Sequence, residues 1–120
     1  MDNNYILNIE RELTILTWGK SSRKFKPNES QKNFSVGMIS ILDYGLNLKK
    51  INGKNHELQN LIMSDKSFIQ TIKSIVLEIE KNNYNTISIC CDQGRHRSVA
   101  VAEIIKKIYY PQTNIKHLDL

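Results

Sequence analysis

Residues 86–98 read Thr-Ile-Ser-Ile-Cys-Cys-Asp-Gln-Gly-Arg-His-Arg-Ser and hold a complete strand–turn–helix junction. The β-branched and apolar run Thr86–Cys91 predicts a strand that continues without a polar interruption longer than one residue. Asp92-Gln93-Gly94 predicts a tight turn, with Gly94 free to take a backbone path closed to other residues. Arg95, His96 and Arg97 are then carried into the first turn of a helix whose apolar stripe is Val101, Ile104, Ile105 and Ile108, and which stops before Pro111. A strand that feeds a helix through a short turn is the unit from which parallel sheets are built. The same junction aims backbone N–H groups and fixed positive charge at one spot, as an anionic ligand requires.

Working outward, Leu13–Trp18 alternates with β-branched residues and predicts a strand ending at Gly19. Asn4–Ile9 is read as an extra strand or an irregular lead-in. Lys20–Lys32 contains Pro27 and five basic residues (Lys20, Arg23, Lys24, Lys26, Lys32), a pattern that predicts a mobile basic loop. The apolar run Phe34–Leu42 predicts a buried strand, closed by Asp43-Tyr44-Gly45. Asn52-Gly53 marks a turn, and Glu57–Met63 a short helix burying Leu58, Leu61 and Ile62. Ser64 is the expected N-cap of a longer helix, with Asp65 in its first turn and Phe68, Ile72, Ile75, Val76 and Ile79 on one face. Asn114–Leu120 alternates and predicts the last strand. Helices between successive strands imply crossover connections, so the expected fold is a single α/β domain over residues 1–120, with a largely parallel (mixed) sheet of about four strands and flanking helices.

The chain has 120 residues, 40% of them hydrophobic and 24% charged, which supports one hydrophobic core. The apolar stretches are too short for a membrane span, and the first residues lack the blocks of a signal peptide, so a cytoplasmic location is expected. Cys90 and Cys91 are the two cysteines of the chain, adjacent in a strand with side chains on opposite faces, so no distant partner exists for a disulfide framework and two free thiols are predicted. With the three histidines scattered, no metal site and no cofactor are expected. The net charge of +5 favours anionic partners. Trp18-Gly19-Lys20-Ser21-Ser22 imitates the end of a phosphate-binding ATPase loop, but Thr14 stands where that motif needs a glycine.

The ligand-binding residues expected from this pattern are Asp92, Gln93, Gly94, Arg95, His96, Arg97 and Ser98, joined by Gly19 and Lys20 from the end of the first strand and by His117 from the last. Arg97 and Arg95 would hold negative charge, N–H groups around Gly94 would cradle it, and His96 would fix orientation. An ordinary strand–helix turn, its arginines paired with Asp92 or Glu103, is the bland counterpart. Trp18 has two readings, stacking on a base or packing in the core. His117 and Asp119, on one face of the last strand, either border the pocket or belong to a solvated end. His56 is read as a helix-surface residue.

Cys91-x-x-Gly94-x-x-Arg97-Ser98 resembles the signature loop of the cysteine-dependent phosphatases. That resemblance would make Cys91 a thiolate nucleophile and Arg97 its phosphoryl clamp. Cys90 stands where that family usually has histidine, and no acidic loop accompanies Trp18. A second resemblance runs in order along nearly the whole chain. Cys91-Asp92-Gln93-Gly94-Arg95-His96-Arg97-Ser98-Val99 with Ala102-Glu103, Thr17-Trp18-Gly19-Lys20, Ile41-Leu42-Asp43, Ile51-Asn52-Gly53-Lys54-Asn55 and His117-Leu118-Asp119 together resemble the C-terminal domain of the RNase adapter protein RapZ. Asp92-Gln93 replaces a Thr-Gly pair of that family, and Tyr44-Gly45 replaces a Val-Arg pair. This second resemblance implies a regulatory binding domain for a phosphorylated small ligand, RNA or both, homo-oligomeric, with Cys91 structural and turned toward the sheet.

Overall fold

A computed structural model describes residues 7–120. The strands are β1 (Thr14–Gly19), β2 (Lys32–Ser35), β3 (Thr86–Cys91) and β4 (Asn114–His117), and the helices are α1 (His56–Ser64), α2 (Lys66–Asn82) and α3 (Arg97–Ile108). All strand pairs are parallel, in the order β2-β3-β1-β4. The two strands buried along nearly their whole length, β1 and β3, are the central ones, as continuous apolar runs demand. The domain is α/β with a four-stranded parallel sheet.

One sheet face carries the main core. Ile15, Ile87, Ile89 and Cys91 meet Phe68, Ile72, Ile75 and Ile79 of α2 and Val101, Ile104 and Ile105 of α3 in one continuous cluster. The α2 stripe is buried as its spacing predicts, and Leu58 and Ile62 of α1 complete the layer. On the opposite face Leu16, Trp18 and Cys90 are also buried. There the basic loop lies down on the sheet: buried Ser30 is 2.7 Å from the Ser88 hydroxyl, and the Trp18 indole donates to Asn33. Trp18 is therefore a packing residue, and the loop expected to be mobile is anchored at Ser30. Cys90 and Cys91 point to opposite faces and are free.

Several boundaries differ from the sequence reading. β2 covers Lys32–Ser35, and Val36 begins an irregular segment, running to Leu42, in which only Val36 and Ile41 are buried; Met38 and Leu42 face solvent. The cap of α2 is Asp65, whose carboxylate accepts from Ser67 and Phe68, while Ser64 closes α1. Leu61 is only half-buried, Gln59 is buried and bonded to Gly53 O, and Ile108 is exposed. β4 ends at His117. Of the lead-in Asn4–Ile9, residues 4–6 lie outside the described residues and 7–9 form no strand.

Arg11 fixes the approach to β1. Its guanidinium makes a two-pronged pair with Glu80 of α2, at 3.2 and 3.0 Å, and the Tyr110 hydroxyl donates to the same carboxylate at 2.5 Å. Burial pushes the Glu80 carboxyl up, but Arg11 and Tyr110 outweigh it and hold it below its usual range. A carboxyl lowered on folding stabilises the protein above its unfolded-state value and loses that contribution as pH falls through the native value. Glu80→Gln should cost about 3 kcal/mol at neutral pH in urea unfolding. The gap to wild type should narrow below about pH 4; a gap independent of pH would contradict this account.

Candidate functional site

β3 ends at Cys91, the chain turns through Asp92–His96, and α3 begins at Arg97. Gly94 takes φ +72°, and a Cβ there would lie 2.6 Å from the Gly19 nitrogen. A Cβ on Gly19 would in turn lie 2.3 Å from the Gln93 carbonyl carbon. The two glycines let the end of β1 and the β3–α3 turn touch backbone to backbone, far closer than side chains permit. The contact is secured by Lys20 N–H to Cys91 O at 3.0 Å and Ser21 N–H to Asp92 O at 2.8 Å. From the other side Gly53 N–H donates to Arg95 O at 2.7 Å, seating the Asn52-Gly53 turn on the first turn of α3.

A pocket of about 350 Å³ opens beside this junction. Asp92, Gln93, His96, Arg97 and Cys91 form one side of it, and the Gly37–Leu42 segment with Leu48 forms the other. Arg97 reaches across the gap, donating through Nη1 to the carbonyls of Gly37 (2.5 Å) and Ile39 (3.1 Å). Its Nη2 lies 3.4 Å from Asp92, whose side chain is 73% exposed. Of the five N–H groups of the guanidinium, Nε and one on Nη2 have no partner among the described residues.

His96 is set deeper. Its Nε2 lies 2.6 Å from Leu48 O and 2.8 Å from Ile51 O. Two carbonyls can only be served by a protonated nitrogen, so the proton resides on Nε2 and His96 clamps the 48–51 segment. Ser98 is fully buried, its hydroxyl 3.2 Å from Cys91 Sγ. Burial pushes the Cys91 thiol up, yet the Ser98 hydroxyl and N–H, the Gly94 N–H and the Arg97 charge together hold it below its ordinary value. The outer wall is pinned by Tyr44, which donates to Asp65 at 2.6 Å and ties the turn Leu42–Tyr44 to the start of α2.

Other expected site residues lie elsewhere. The Gly19 N–H is taken by Asp119, which also pairs with Arg23, and Lys20 points to solvent. His117 sits on the far side of β1, its Nδ1 2.8 Å from the Thr17 hydroxyl and its Nε2 2.8 Å from Glu103 of α3. Arg95 is half-buried and does not line the pocket. The structure thus brings Asp92, Gln93, His96 and Arg97 together and separates them from His117. The sequence reading missed Gly37, Met38, Ser40, Ile41, Leu42 and Leu48; a glycine inside the Phe34–Leu42 run was the one available sign that the strand stops early. Among the described residues no group of His, Cys, Asp and Glu is clustered as a metal site, and no helix is long and apolar enough to cross a membrane.

Fold and site together define a small parallel α/β domain with an arginine-bearing strand–turn–helix pocket at the carboxyl edge of its sheet, where such sheets hold their ligands. Residues 22–120 match the model of the RapZ C-terminal domain, and the chain belongs to that family. It is 27% identical to a nucleotide-binding protein of Shewanella sp. (strain W3-18-1), over 93% of this chain and 44% of that protein. It is 28% identical to one from Clostridium botulinum (strain Hall), over 93% and 42%. A nucleotide-binding protein of Paramagnetospirillum magneticum is 29% identical over 64% of this chain and 28% of its own. The chain spans less than half the length of these relatives.

Two outcomes test the geometry. Gly94→Ala should destabilise the fold by about 2 kcal/mol or more, from the strained φ and the collision with Gly19 together. Ser98→Ala, in a Cys90→Ala background, should raise the Cys91 thiol pKa followed by thiolate absorbance; an unchanged titration would show that the hydroxyl does not stabilise the thiolate.

Proposed function

We propose that this domain binds a small phosphorylated ligand in the pocket between the Asp92–Arg97 turn and the Gly37–Leu42 segment. The observation that carries the reading is Arg97, which lines the pocket, is pinned through one nitrogen and keeps two N–H groups without a partner among the described residues. A guanidinium held by backbone carbonyls keeps its full charge and loses little further freedom on binding. His96 provides no side-chain cap, so first-turn N–H groups of α3, apart from that of Ser98, add to the attraction. The Asp92 contact does not block an anion. It is long and exposed, worth about 0–1 kcal/mol, whereas a phosphate would gain charge-assisted bonds about twice as strong as neutral ones. The nucleotide-binding names of the relatives agree with a phosphate-bearing ligand.

A small ligand is favoured over RNA. Within the basic loop Arg23 is paired with Asp119 through contacts of 3.1 and 3.0 Å, which offsets one of the five cations that would track a nucleic-acid backbone.

The Cys91 cradle supports a second reading, phosphoryl transfer through the thiolate, but Cys91 is only 2% exposed. The two readings separate on Cys91→Ser, which should keep ligand binding and change no turnover of an aryl phosphate. Hydrolysis lost in that variant would establish the phosphatase.

Thermal stabilisation by inorganic phosphate, sugar phosphates and nucleoside monophosphates tests the main reading. A ligand at about a hundred times its Kd should add about 2.7 kcal/mol. The shift should be lost in Arg97→Lys, which keeps the charge but not the fork. Equal shifts in wild type and variant would place the ligand elsewhere.

A further inference from the structure

The Gly37–Ser40 segment is a ridge with a depression on each side. The pocket bearing Arg97 lies on one side, and a wider, more open depression of about 680 Å³ lies on the other, between β2 and α2. Met38 and Ser40 line both. The two depressions differ in chemistry. The first carries Arg97, Asp92 and His96, whereas the second has no ionisable side chain in its lining. Its lining includes half-buried Phe34 and buried Ile75, together with the hydroxyl residues Ser35, Thr71 and Ser74.

We infer that the second depression is a subsite for the uncharged, ring-bearing part of the same ligand, so that the whole site takes a nucleoside monophosphate. This inference rests on the phosphate reading of the first pocket. An aromatic ring in such a lining can pack against a flat ring, and the hydroxyls beside it offer donors and acceptors to its edge. The absence of lining charge disfavours placing a second phosphate there. Met38 is the joint between the halves. It is 71% exposed, and a ribose or base passing over the ridge would cover it. A simple sugar phosphate would occupy the first pocket alone and leave Met38 and Phe34 uncovered.

Calorimetric titration of the wild-type chain with adenosine, guanosine, cytidine and uridine 5′-monophosphates, set against ribose 5-phosphate, tests the inference. At least one nucleotide should bind about tenfold or more tightly than ribose 5-phosphate, from the added apolar burial. Ser74→Trp, an exposed helix position that fills the second depression, should erase this advantage while leaving ribose 5-phosphate binding unchanged. Equal affinity of nucleotides and ribose 5-phosphate in wild type, or a nucleotide advantage that survives Ser74→Trp, would overturn the subsite and leave the phosphate pocket standing. Failure of every phosphate to bind would overturn the pocket itself, and the subsite with it.

Discussion

The backbone contact between Gly19 and Gly94 is the constraint on which the rest of the site depends. It joins the ends of the two central strands and forces the chain after Cys91 to turn away before entering α3. Without side chains at these two positions, the β1 backbone continues its pairing past the end of β3, through Lys20 and Ser21. The turn is thereby held from behind, and its open side faces β2. The C-terminal segment reinforces the same point, because Asp119 takes the Gly19 N–H and Leu118 N–H bonds to Thr17 O. In the proposed anion site, a turn held rigid presents its charge without first having to be ordered.

Arg97 shows how such a site combines structure and recognition. One nitrogen closes the gap between α3 and the segment after β2, which shapes the pocket; in the proposed role the two unpartnered N–H groups receive the anion. His96, from the same wall, does comparable work on the 48–51 segment with a single shared proton. The residues with the most conspicuous chemistry in the sequence are thus largely engaged in holding two irregular segments, 37–42 and 48–51, against the start of α3. Cys91 and Ser98 complete this base from within the core. Their contact is shared with thiol-dependent chemistry, but here the sulfur lies beneath the pocket, almost sealed from solvent.

Much of this was legible in the sequence, for a physical reason in each case. β3 and α2 are set by local patterns strong enough to stand alone, an unbroken apolar run and a five-residue helical stripe, and the turn between β3 and α3 is marked by Gly94. The Phe34–Leu42 run misled because apolar residues there do two different jobs. Val36 and Ile41 anchor an irregular segment to the core, while Met38 and Leu42 line a pocket mouth, and a hydrophobic run does not distinguish them. Ser64 and Asp65 are both competent caps, and only the break between α1 and α2 decides for Asp65. The placing of His117 depends on strand order: β4 lies on the far side of β1 from the pocket, and no local pattern encodes which neighbour a strand chooses.

The central claim is that the Asp92–Ser98 turn and the facing 37–42 segment form one anion site. Amide chemical-shift mapping during titration of the isotope-labelled chain with inorganic phosphate, and then with a nucleoside monophosphate, tests it most directly. Perturbations concentrated at 37–42 and 92–99, saturating together, are the predicted result. Perturbations confined to the basic loop at 20–32, or scattered over the surface without saturation, would contradict it.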